Sequence, residues 1–355
     1  MEIVRLEDIC TTTTSNLTLK ELDKNNGAYP VYGASGLIKY IDFYNQDKEY
    51  IGIVKDGAGI GRVMLLPKNS SILGTMQYIF PNENIDIKYL YFNLIKMNLK
   101  KYYSGSTIPH IYFKDYKKEK IKLYSFEKQK KIAKILENIS NIIEKKKQKL
   151  QEYELLSKCL FEVEFLNKSY YKYPLCECTT FIDYRGRTPQ ISSEGTIQMI
   201  NAKSVGKNNF KYIDEFVTEE IYNLCMTRGL GEAGDILFVT EGHTFGNVCI
   251  IPENFKKFAL GQRVITIRGK KEQILNKYLC YYMQTEEFKK DINMYKTGGT
   301  AQGIRSKDLG KILIPIPELK LQNQFAERVK LIEKSKFLLL NFLKIQDLRI
   351  FKVEL

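Results

Sequence analysis

Histidine and closely spaced cysteine are scarce in this chain of 355 residues. It has only two histidines, His110 and His243, and its seven cysteines include no C-x-x-C pair. Cys176 and Cys178 are separated by a single residue, which is too tight for the usual spacing of zinc ligands. We therefore expect no metal site. An odd number of scattered cysteines also predicts reduced thiols, as in a cytoplasmic protein, rather than a disulfide framework.

Long apolar runs are missing as well. Residues 1–8 contain no apolar run of the kind found in a signal peptide. No window of about 18 residues is apolar enough to span a membrane. The sequence therefore predicts a cytoplasmic protein with no signal peptide and no membrane-spanning segment.

Positive charge is abundant. Lys and Arg number 55 against 41 Asp and Glu, which gives a net charge of +14. Such an excess indicates a polyanionic partner, either nucleic acid or an anionic membrane surface. Part of the excess also fits an AT-rich codon bias, because the chain is rich in Lys, Ile, Asn and Tyr. Charge alone therefore favours nucleic acid without establishing it.

Residues 126–165 contain neither Pro nor Gly and carry apolar side chains in steps of three and four. Steps of seven occur where Lys146 and Ser157 interrupt the series. This heptad pattern predicts a long helix that packs along another helix. At about 1.5 Å per residue, the helix is about 58 Å long. Its apolar stripe requires a partner helix elsewhere in the sequence.

Residues 166–318 repeat the order of residues 1–125, and residues 319–355 repeat the heptad phase of the long helix. The offset between matched segments rises from 185 to 193 residues, as insertions in loops would produce. The matched segments include Gly57 to Gly61 with Gly242 to Gly246, Ser104 to Thr107 with Thr297 to Thr300, Lys114-Asp115 with Lys307-Asp308, and Gln129 with Gln322. The second helix is therefore the expected partner of the first.

The predicted fold is α+β, with a pseudo-twofold internal repeat. Two globular α/β modules, residues 1–125 and 166–318, are separated by a long antiparallel two-helix coiled coil formed by residues 126–165 and 319–355. Chain connectivity favours the antiparallel arrangement, because the second module starts where the first helix ends. The expected helix-pairing residues are Ile132, Leu136, Ile139, Ile143 and Leu150 in the first helix, and Phe325, Val329, Ile332, Leu339, Leu343 and Ile350 in the second.

Two basic modules on a helical spacer suit the recognition of two separated short DNA sequences. At about 3.4 Å per base pair, a spacer of about 58 Å spans roughly 17 base pairs. The helix length then sets the gap between the two half-sites. The modules differ in sequence outside their matched segments, which predicts different half-sites and a target that is not a palindrome.

The chain resembles the DNA-specificity subunit of Type I restriction–modification systems over essentially its whole length. The most specific similarities are the transitions from loop to long helix, with further likeness in the opening segment of each module. The matching segments are Val4 to Cys10, Gly105-Ser106-Thr107, Lys114-Asp115, Glu127-Lys128-Gln129, Gly186-Arg187-Thr188-Pro189, Gly298-Gly299-Thr300, Lys307-Asp308, Ile314 to Pro317, and Gln322-x-x-Phe325-Ala326.

The resemblance implies a noncatalytic subunit with two target recognition domains that bind the two halves of a bipartite DNA site. It further implies that the helices bind two modification subunits, which methylate adenine at N6 from S-adenosylmethionine. Restriction subunits that hydrolyse ATP with Mg²⁺ would join in some complexes. These cofactors are expected on the partners, and none is expected in this chain.

Base and phosphate contacts are expected from polar and basic side chains on the matched loops. For any single residue, an ordinary surface side chain is an equally good interpretation. The candidate DNA-binding residues are Lys55, Arg62, Ser104, Ser106, Thr107 and His110 in the first module, and Arg185, Arg187, His243, Thr297, Thr300, Gln302 and Arg305 in the second.

Other functions are less well supported. The Gly57-x-Gly59-x-Gly61 motif resembles part of a nucleotide loop, but its counterpart at Gly242 to Gly246 keeps only the outer glycines, which favours a tight turn. The chain lacks the Asn/Asp-Pro-Pro-Tyr/Phe motif of adenine methyltransferases, which disfavours an enzyme that acts alone. A stand-alone DNA-binding regulator or helical scaffold remains the alternative.

Overall fold

The computed structural model describes residues 2–105, 109–184, 188–297 and 302–350, and in the last range it describes side chains as far as Leu343. The chain divides into two compact units, residues 1–148 with 340–355 and residues 149–339. Each unit contains one mixed α/β module and part of both long helices. In the described part of the chain, none of the helices combines the length and the apolar character that crossing a bilayer requires.

The first module is built on three small sheets. Its described strands are β1 (Glu2–Arg5), β2 (Cys10–Thr14), β3 (Tyr29–Gly33), β4 (Gly36–Ile41), β5 (Tyr50–Val54), β6 (Val63–Leu66), β7 (Ser71–Ile72), β8 (Met76–Pro81) and β9 (Lys120–Leu123). They are ordered β2-β8-β5-β6, β4-β3-β7 and β1-β9. In β5 every residue is buried, because Ile51 and Ile53 pack into one core while Tyr50 and Val54 pack into another. A strand that is covered on both faces has a continuous run of apolar residues in its sequence.

Short helices surround these sheets. They are α1 (Leu6–Ile9), α2 (Leu19–Leu22), α3 (Ile87–Lys96) and α4 (Phe113–Tyr116), with a 3₁₀ turn at Leu99–Tyr102. The sequence pattern predicts one helix from Ile87 to Lys101, and this is wrong. The helix ends at Lys96 because Asn98 takes the left-handed conformation (φ +49), which asparagine tolerates.

The second module follows the first long helix, α5 (Phe126–Phe161). Its strands are β10 (Lys172–Pro174), β11 (Thr179–Asp183), β12 (Ile197–Ile200), β13 (Phe216–Val217), β14 (Ile236–Val239), β15 (Val248–Ile250), β16 (Phe258–Leu260), β17 (Val264–Gly269) and β18 (Leu313–Pro315). Its helices are α6 (Leu175–Cys178), α7 (Glu219–Cys225), α8 (Asn276–Tyr282), α9 (Glu286–Met294) and α10 (Ser306–Leu309), with a 3₁₀ turn at Ala202–Ser204.

The two modules have the same sheet topology. The order β11-β17-β14-β15 corresponds strand for strand to β2-β8-β5-β6, and β13-β12-β16 and β10-β18 correspond to β4-β3-β7 and β1-β9. The one parallel pair in each three-stranded sheet is also matched, β3 with β7 and β12 with β16. The internal repeat predicted from short sequence matches is therefore present in the structure, as is the mixed α/β class.

Both long helices form as the heptads predict. Helix α5 continues into one π-helical turn, Glu162–Leu166, and the second long helix is α11 (Leu319–Ile350). Among the expected helix-pairing residues, Leu136, Ile143, Phe325, Val329 and Leu343 are buried. The half-buried ones are Ile132, Ile139, Leu150, Ile332 and Leu339. The side chain of Ile350 lies outside the described residues.

In the second unit the order of the ion pairs shows that the two long helices run antiparallel. In the second unit, Glu154 pairs with Lys336 at 3.1 Å, and Glu164, further along α5, pairs with Arg328, which is earlier in α11. In the first unit, the Lys146 ammonium lies 4.2 Å from the centre of the Phe342 ring. These pairs confirm the antiparallel pairing expected from connectivity.

The two polar residues that interrupt the first heptad series lie within the seam. Ser157 is only 4% exposed, and its hydroxyl donates to the carbonyl of Tyr153 at 3.0 Å, one turn back in the same helix. The Lys146 side chain is half-buried over the Phe342 ring. Both positions satisfy their polar atoms without breaking the helix pair.

An aromatic cluster joins the helices to the second module. The ring of Phe325 is fully buried and meets Phe161 and Phe165 edge-on, each at 5.4 Å between ring centres. The ring of Tyr278 from α8 meets Phe161 at a tilt and Phe165 edge-on, at 5.5 and 4.9 Å between ring centres. Burial of large rings at this junction fixes how the module meets its helices.

One buried glutamine anchors each long helix to its module. The Gln129 side chain accepts from the Asp86 amide at 2.9 Å and donates to the carbonyls of Asn84 (3.1 Å) and Tyr124 (2.9 Å). Gln322 makes the same three bonds in the second module, with Leu275 (2.8 Å), Gln273 (3.1 Å) and Pro317 (2.8 Å). Each buried side-chain amide therefore satisfies three backbone groups at a helix start.

Candidate nucleic-acid interface

A tight turn follows the central buried strand of each module. Its two outer glycines have positive φ, +86 and +75 at Gly57 and Gly61 and +93 and +81 at Gly242 and Gly246. The amide of the second glycine donates back to the end of the preceding strand, at 2.8 Å in the first module and 3.0 Å in the second. These positions require glycine because larger residues are strained there. Both segments are thus tight turns with a shared geometry.

A second loop pairs with this turn in both modules. Ser104 and His110 exchange two backbone hydrogen bonds, at 2.9 and 2.8 Å, and His110 also bridges to Asp56 beside the turn. Thr297 and Gly303 exchange the matching pair at 2.9 and 3.0 Å. Gly303 bridges in the same way to Glu241, the residue before the second turn. The structure therefore brings the two loops that the sequence matched into one place in each module.

In the first module the paired loops carry a carboxylate–imidazole contact. The Nδ1 atom of His110 lies 2.6 Å from Oδ1 of Asp56, and the His110 side chain is 38% exposed. The imidazole lies nearly parallel to the ring of Tyr112, with their centres 6.4 Å apart. Asp56 fixes the ring while leaving part of it open to solvent. The sequence identified His110 but not its partner.

In the second module the equivalent carboxylate holds an arginine. The Nε atom of Arg263 donates to Oε1 of Glu241 at 3.1 Å, and the Arg263 side chain is 58% exposed. The sequence did not identify Arg263, because it lies between β16 and β17 outside every matched segment. The only signal in the sequence was its position shortly after Leu260-Gly261, which repeats Leu73-Gly74 of the first module.

A basic cleft opens beside the second turn. Its volume is about 560 Å³, and its lining includes Lys158, Lys207, Lys289 and Lys296 together with the candidate residues His243 and Gln302. Phe245 and Ile292 contribute to an apolar floor, and the Lys296 ammonium lies 5.6 Å from the centre of the Phe245 ring. No Asp or Glu is among the described residues that line it. Cations over an apolar floor suit a strand of phosphates.

The same cleft occurs in smaller form beside the first turn. It measures about 250 Å³ and lies between Gly59 to Val63 and the segment from Ile95 to Lys100, which matches the α8–α9 segment of the second module. Its cations are Arg62 and Lys100. The Arg62 guanidinium donates to the carbonyl of Ala34, which holds it at the cleft. A basic cleft at matched positions is thus a feature of the repeat.

The remaining candidate residues fall into two groups. Lys55 lies at the end of β5, where its carbonyl accepts from the Ile111 amide at 2.9 Å, and Arg305 is an exposed residue just before α10. Arg305 lies two residues after Gly303, the last residue of the paired loops in the second module. The candidates outside the described residues are Ser106, Thr107, Arg185, Arg187 and Thr300.

The buried thiols are poor nucleophiles. Burial raises the pKa of both Cys10 and Cys280 to about 12, so these thiols stay protonated near neutral pH. All seven cysteines are free. Within the described ranges, no group of three or more His, Cys, Asp or Glu side chains is placed to hold a metal ion.

Comparison with known proteins gives a consistent result. A family model described as the Type I restriction modification DNA specificity domain matches residues 1–155 and 180–347. The Type I restriction enzyme MjaVIII specificity subunit of Methanocaldococcus jannaschii is 26% identical over 365 residues, covering 94% of this chain and 86% of that protein. A putative type I restriction enzyme specificity subunit of Haemophilus influenzae is 21% identical, with coverage of 84% and 78%.

Solved structures share the fold. The S subunit of a Type I restriction–modification system from M. genitalium superposes with a TM-score of 0.60 at 18% identity, covering 98% of this chain and 93% of that one. A chain from a study of the assembly of the type I R-M system superposes with a TM-score of 0.52 at 15% identity, covering 100% and 98%. At these identities the likeness concerns the fold alone.

Proposed function

The chain belongs to the Type I restriction–modification DNA specificity family, and from that premise we propose that it recognises a bipartite, asymmetric DNA site without catalysing a reaction. Residues 1–125 and 166–318 act as target recognition domains, one for each half-site. The long helices set the gap between the half-sites. The subunit directs adenine-N6 methyltransferase subunits, and restriction subunits where present, to that DNA.

One observation carries the proposal of two different half-sites. The backbone bonds that join turn and loop are the same in both modules, whereas the side chains presented there differ. His110 beside Asp56 in the first module is replaced by Gly303 and an Arg263–Glu241 pair in the second. A shared frame with different hydrogen-bonding groups favours the recognition of different base sequences.

The basic clefts are proposed to receive the DNA backbone. Lys and Arg contacts to phosphate position a protein on a duplex and supply most of its salt-dependent affinity. In the larger cleft, Lys158, Lys207 and Lys296 have no ion-pair partner among the described residues, so their charge is available to a phosphate. The neighbouring turns then reach the base edges.

The long helices are the proposed docking surface for two modification subunits. In the second unit they expose several large apolar side chains that the helix pair does not cover. These residues are Leu155 (62% exposed), Leu156 (50%), Leu331 (67%), Phe337 (62%) and Leu338 (61%). Exposed apolar groups of this number on one helical pair indicate a protein interface. S-adenosylmethionine, ATP and Mg²⁺ would be bound by the partner subunits.

A comparison of genomic DNA methylation with and without this chain tests the proposal. We expect one bipartite adenine methylation motif, with two different halves, to disappear on deletion and return with the full-length gene. In a parallel assay, the purified chain is incubated with DNA and labelled S-adenosylmethionine. Methyl transfer by the chain alone would contradict the noncatalytic assignment, and an unchanged methylome would favour a stand-alone regulator.

A further inference from the structure

Each module places a carboxylate at the same point of its fold and uses it to hold a nitrogen-bearing side chain. Asp56 and Glu241 are 185 positions apart and each directly precedes the first glycine of the turn. Asp56 contacts Nδ1 of His110 at 2.6 Å, and Glu241 accepts from Nε of Arg263 at 3.1 Å. The two held side chains come from different segments of the fold, so the sequence repeat does not by itself produce the arrangement.

The backbone of Arg263 is unusual. Five described non-glycine residues have positive φ, and Arg263, at +85, is the only one among them that is not asparagine. The others are Asn69, Asn84, Asn98 and Asn208. Asparagine tolerates this conformation, whereas a long side chain is strained in it. The conformation is held on the C-terminal side of Arg263, because its carbonyl accepts from the Thr240 amide at 2.9 Å and β17 begins at Val264.

Stability does not explain the pair. An exposed Arg–Glu contact contributes little to folding, and a strained residue costs free energy that glycine would not. Local strain that the surrounding structure maintains is concentrated at functional sites. The strain therefore serves the orientation of the side chain, which leaves the guanidinium 58% exposed beside the paired loops.

The chemistry of the exposed end identifies a ligand. Because Glu241 engages Nε, the two terminal nitrogens of Arg263 remain as a planar fork of donors. That fork matches the two acceptors, N7 and O6, that guanine presents in the major groove. An ionised carboxylate only accepts, so the proton between Asp56 and His110 lies on Nδ1, and Nε2 on the far side of the ring is left for a base edge.

We propose that Arg263 reads a guanine in the half-site of the second module, with Glu241 as its positioning residue, and that Asp56 positions His110 as the corresponding reader in the first module. This inference rests on the proposed function, since it names the residues that select bases within a bipartite site. It goes beyond that function by assigning one base pair in one half-site to one side chain.

The test is selection of binding sites from a random duplex library by the full-length chain. Replacing Arg263 with glycine removes the donors and also relieves the backbone. We expect R263G to lose about 5- to 150-fold of discrimination at one G·C pair, to keep the rest of both half-sites, and to unfold at a temperature no lower than the wild type. E241A is expected to weaken the same position, whereas H110A alters only the other half-site.

Arg328→Ala is the matched control. Arg328 is also exposed and paired with a glutamate, but it lies on the long helix. Its replacement should leave both half-sites unchanged. E241D is compared with E241A. The shorter side chain of aspartate keeps the charge of Glu241 but not its full reach, so the comparison separates the role of the charge from that of the contact.

The outcomes distinguish failure of the proposed function from failure of the Arg263 assignment. If the wild-type chain selects no bipartite sequence, the proposed function fails. If it selects one and R263G retains every position of both halves, the assignment of Arg263 is wrong. Loss of the whole second half-site together with a lower unfolding temperature would show that Arg263 is structural and would overturn the assignment as well.

Discussion

Three lysines of the larger cleft, Lys158, Lys207 and Lys296, have no ion-pair partner among the described residues, and replacing them with glutamine should flatten the salt dependence of DNA binding. Each phosphate contact contributes about 0.9 to the slope of log K against log salt concentration. If all three lysines neutralise phosphates, the magnitude of the slope falls by about 2.7. Lys289 is left in place because it already pairs with Glu286 at 2.6 Å.

The size of the effect follows from the same relation. Raising the salt concentration from about 50 to about 200 mM should cost the wild-type chain about 40-fold in affinity through these three contacts alone. The triple variant should lack that part of the loss, so the two chains converge in affinity at high salt. Base preference should not change, because phosphate contacts carry no sequence information.

The measurement is fluorescence anisotropy with a labelled duplex over a series of salt concentrations. A control variant replaces Lys256, Lys271 and Lys334, which are exposed in the same unit but do not line the cleft. It removes the same net charge, so it corrects for the general field of the protein. An equal change of slope in both variants, or no change in either, would refute the placement of the DNA backbone in the cleft.

Three further predictions follow from the fold. Q322L should destabilise the chain by about 1–3 kcal/mol, because it leaves three backbone groups, one of them buried, without the partner that Gln322 supplies; urea unfolding should show Q324L, at an exposed position of the same helix, to be nearly neutral. R268A should cost about 3–5 kcal/mol because it removes the ion-pair partner of Asp235, whose side chain is 2% exposed; a loss below about 1 kcal/mol, the range expected for an exposed pair, would disprove the importance of that burial. Insertion of one heptad in both long helices should widen the gap between half-sites by about 3 base pairs without altering either half, and site selection that returned the original gap would exclude the helices as the spacer.

Heptads and the repeat made much of the fold predictable. The phase of apolar residues located both long helices, since a periodic pattern over this length has few other interpretations. Short matches such as Gly57 with Gly242 located the two modules. The small strands at Ser71–Ile72 and Phe216–Val217 were missed because two residues carry no periodic signal. The break at Asn98 was missed because asparagine in a helical pattern does not by itself end a helix.

The site was less predictable, because its contacts join segments that are distant in sequence. His110 could be chosen from its position in a matched loop, but the contact with Asp56 spans 54 residues. Apart from its position shortly after Leu260-Gly261, Arg263 carried no signal, since its strained φ is a property of the folded backbone and its partner Glu241 is 22 residues away. Sequence matches between the modules identify the backbone frame that they share. The proposed base-contacting residues differ between the modules, so comparing the two halves of the sequence does not reveal them.

That contrast also explains how one chain can recognise an asymmetric site. The frame that the modules share consists of backbone bonds, such as those between Ser104 and His110 and between Thr297 and Gly303. The buried glutamines at the helix starts fix the frame to the spacer in the same way twice. Side chains at the loops are then free to differ, because neither the turn nor the helix anchor depends on them. Exchange of reader residues within one module should therefore alter one half-site while the gap and the other half-site stay the same.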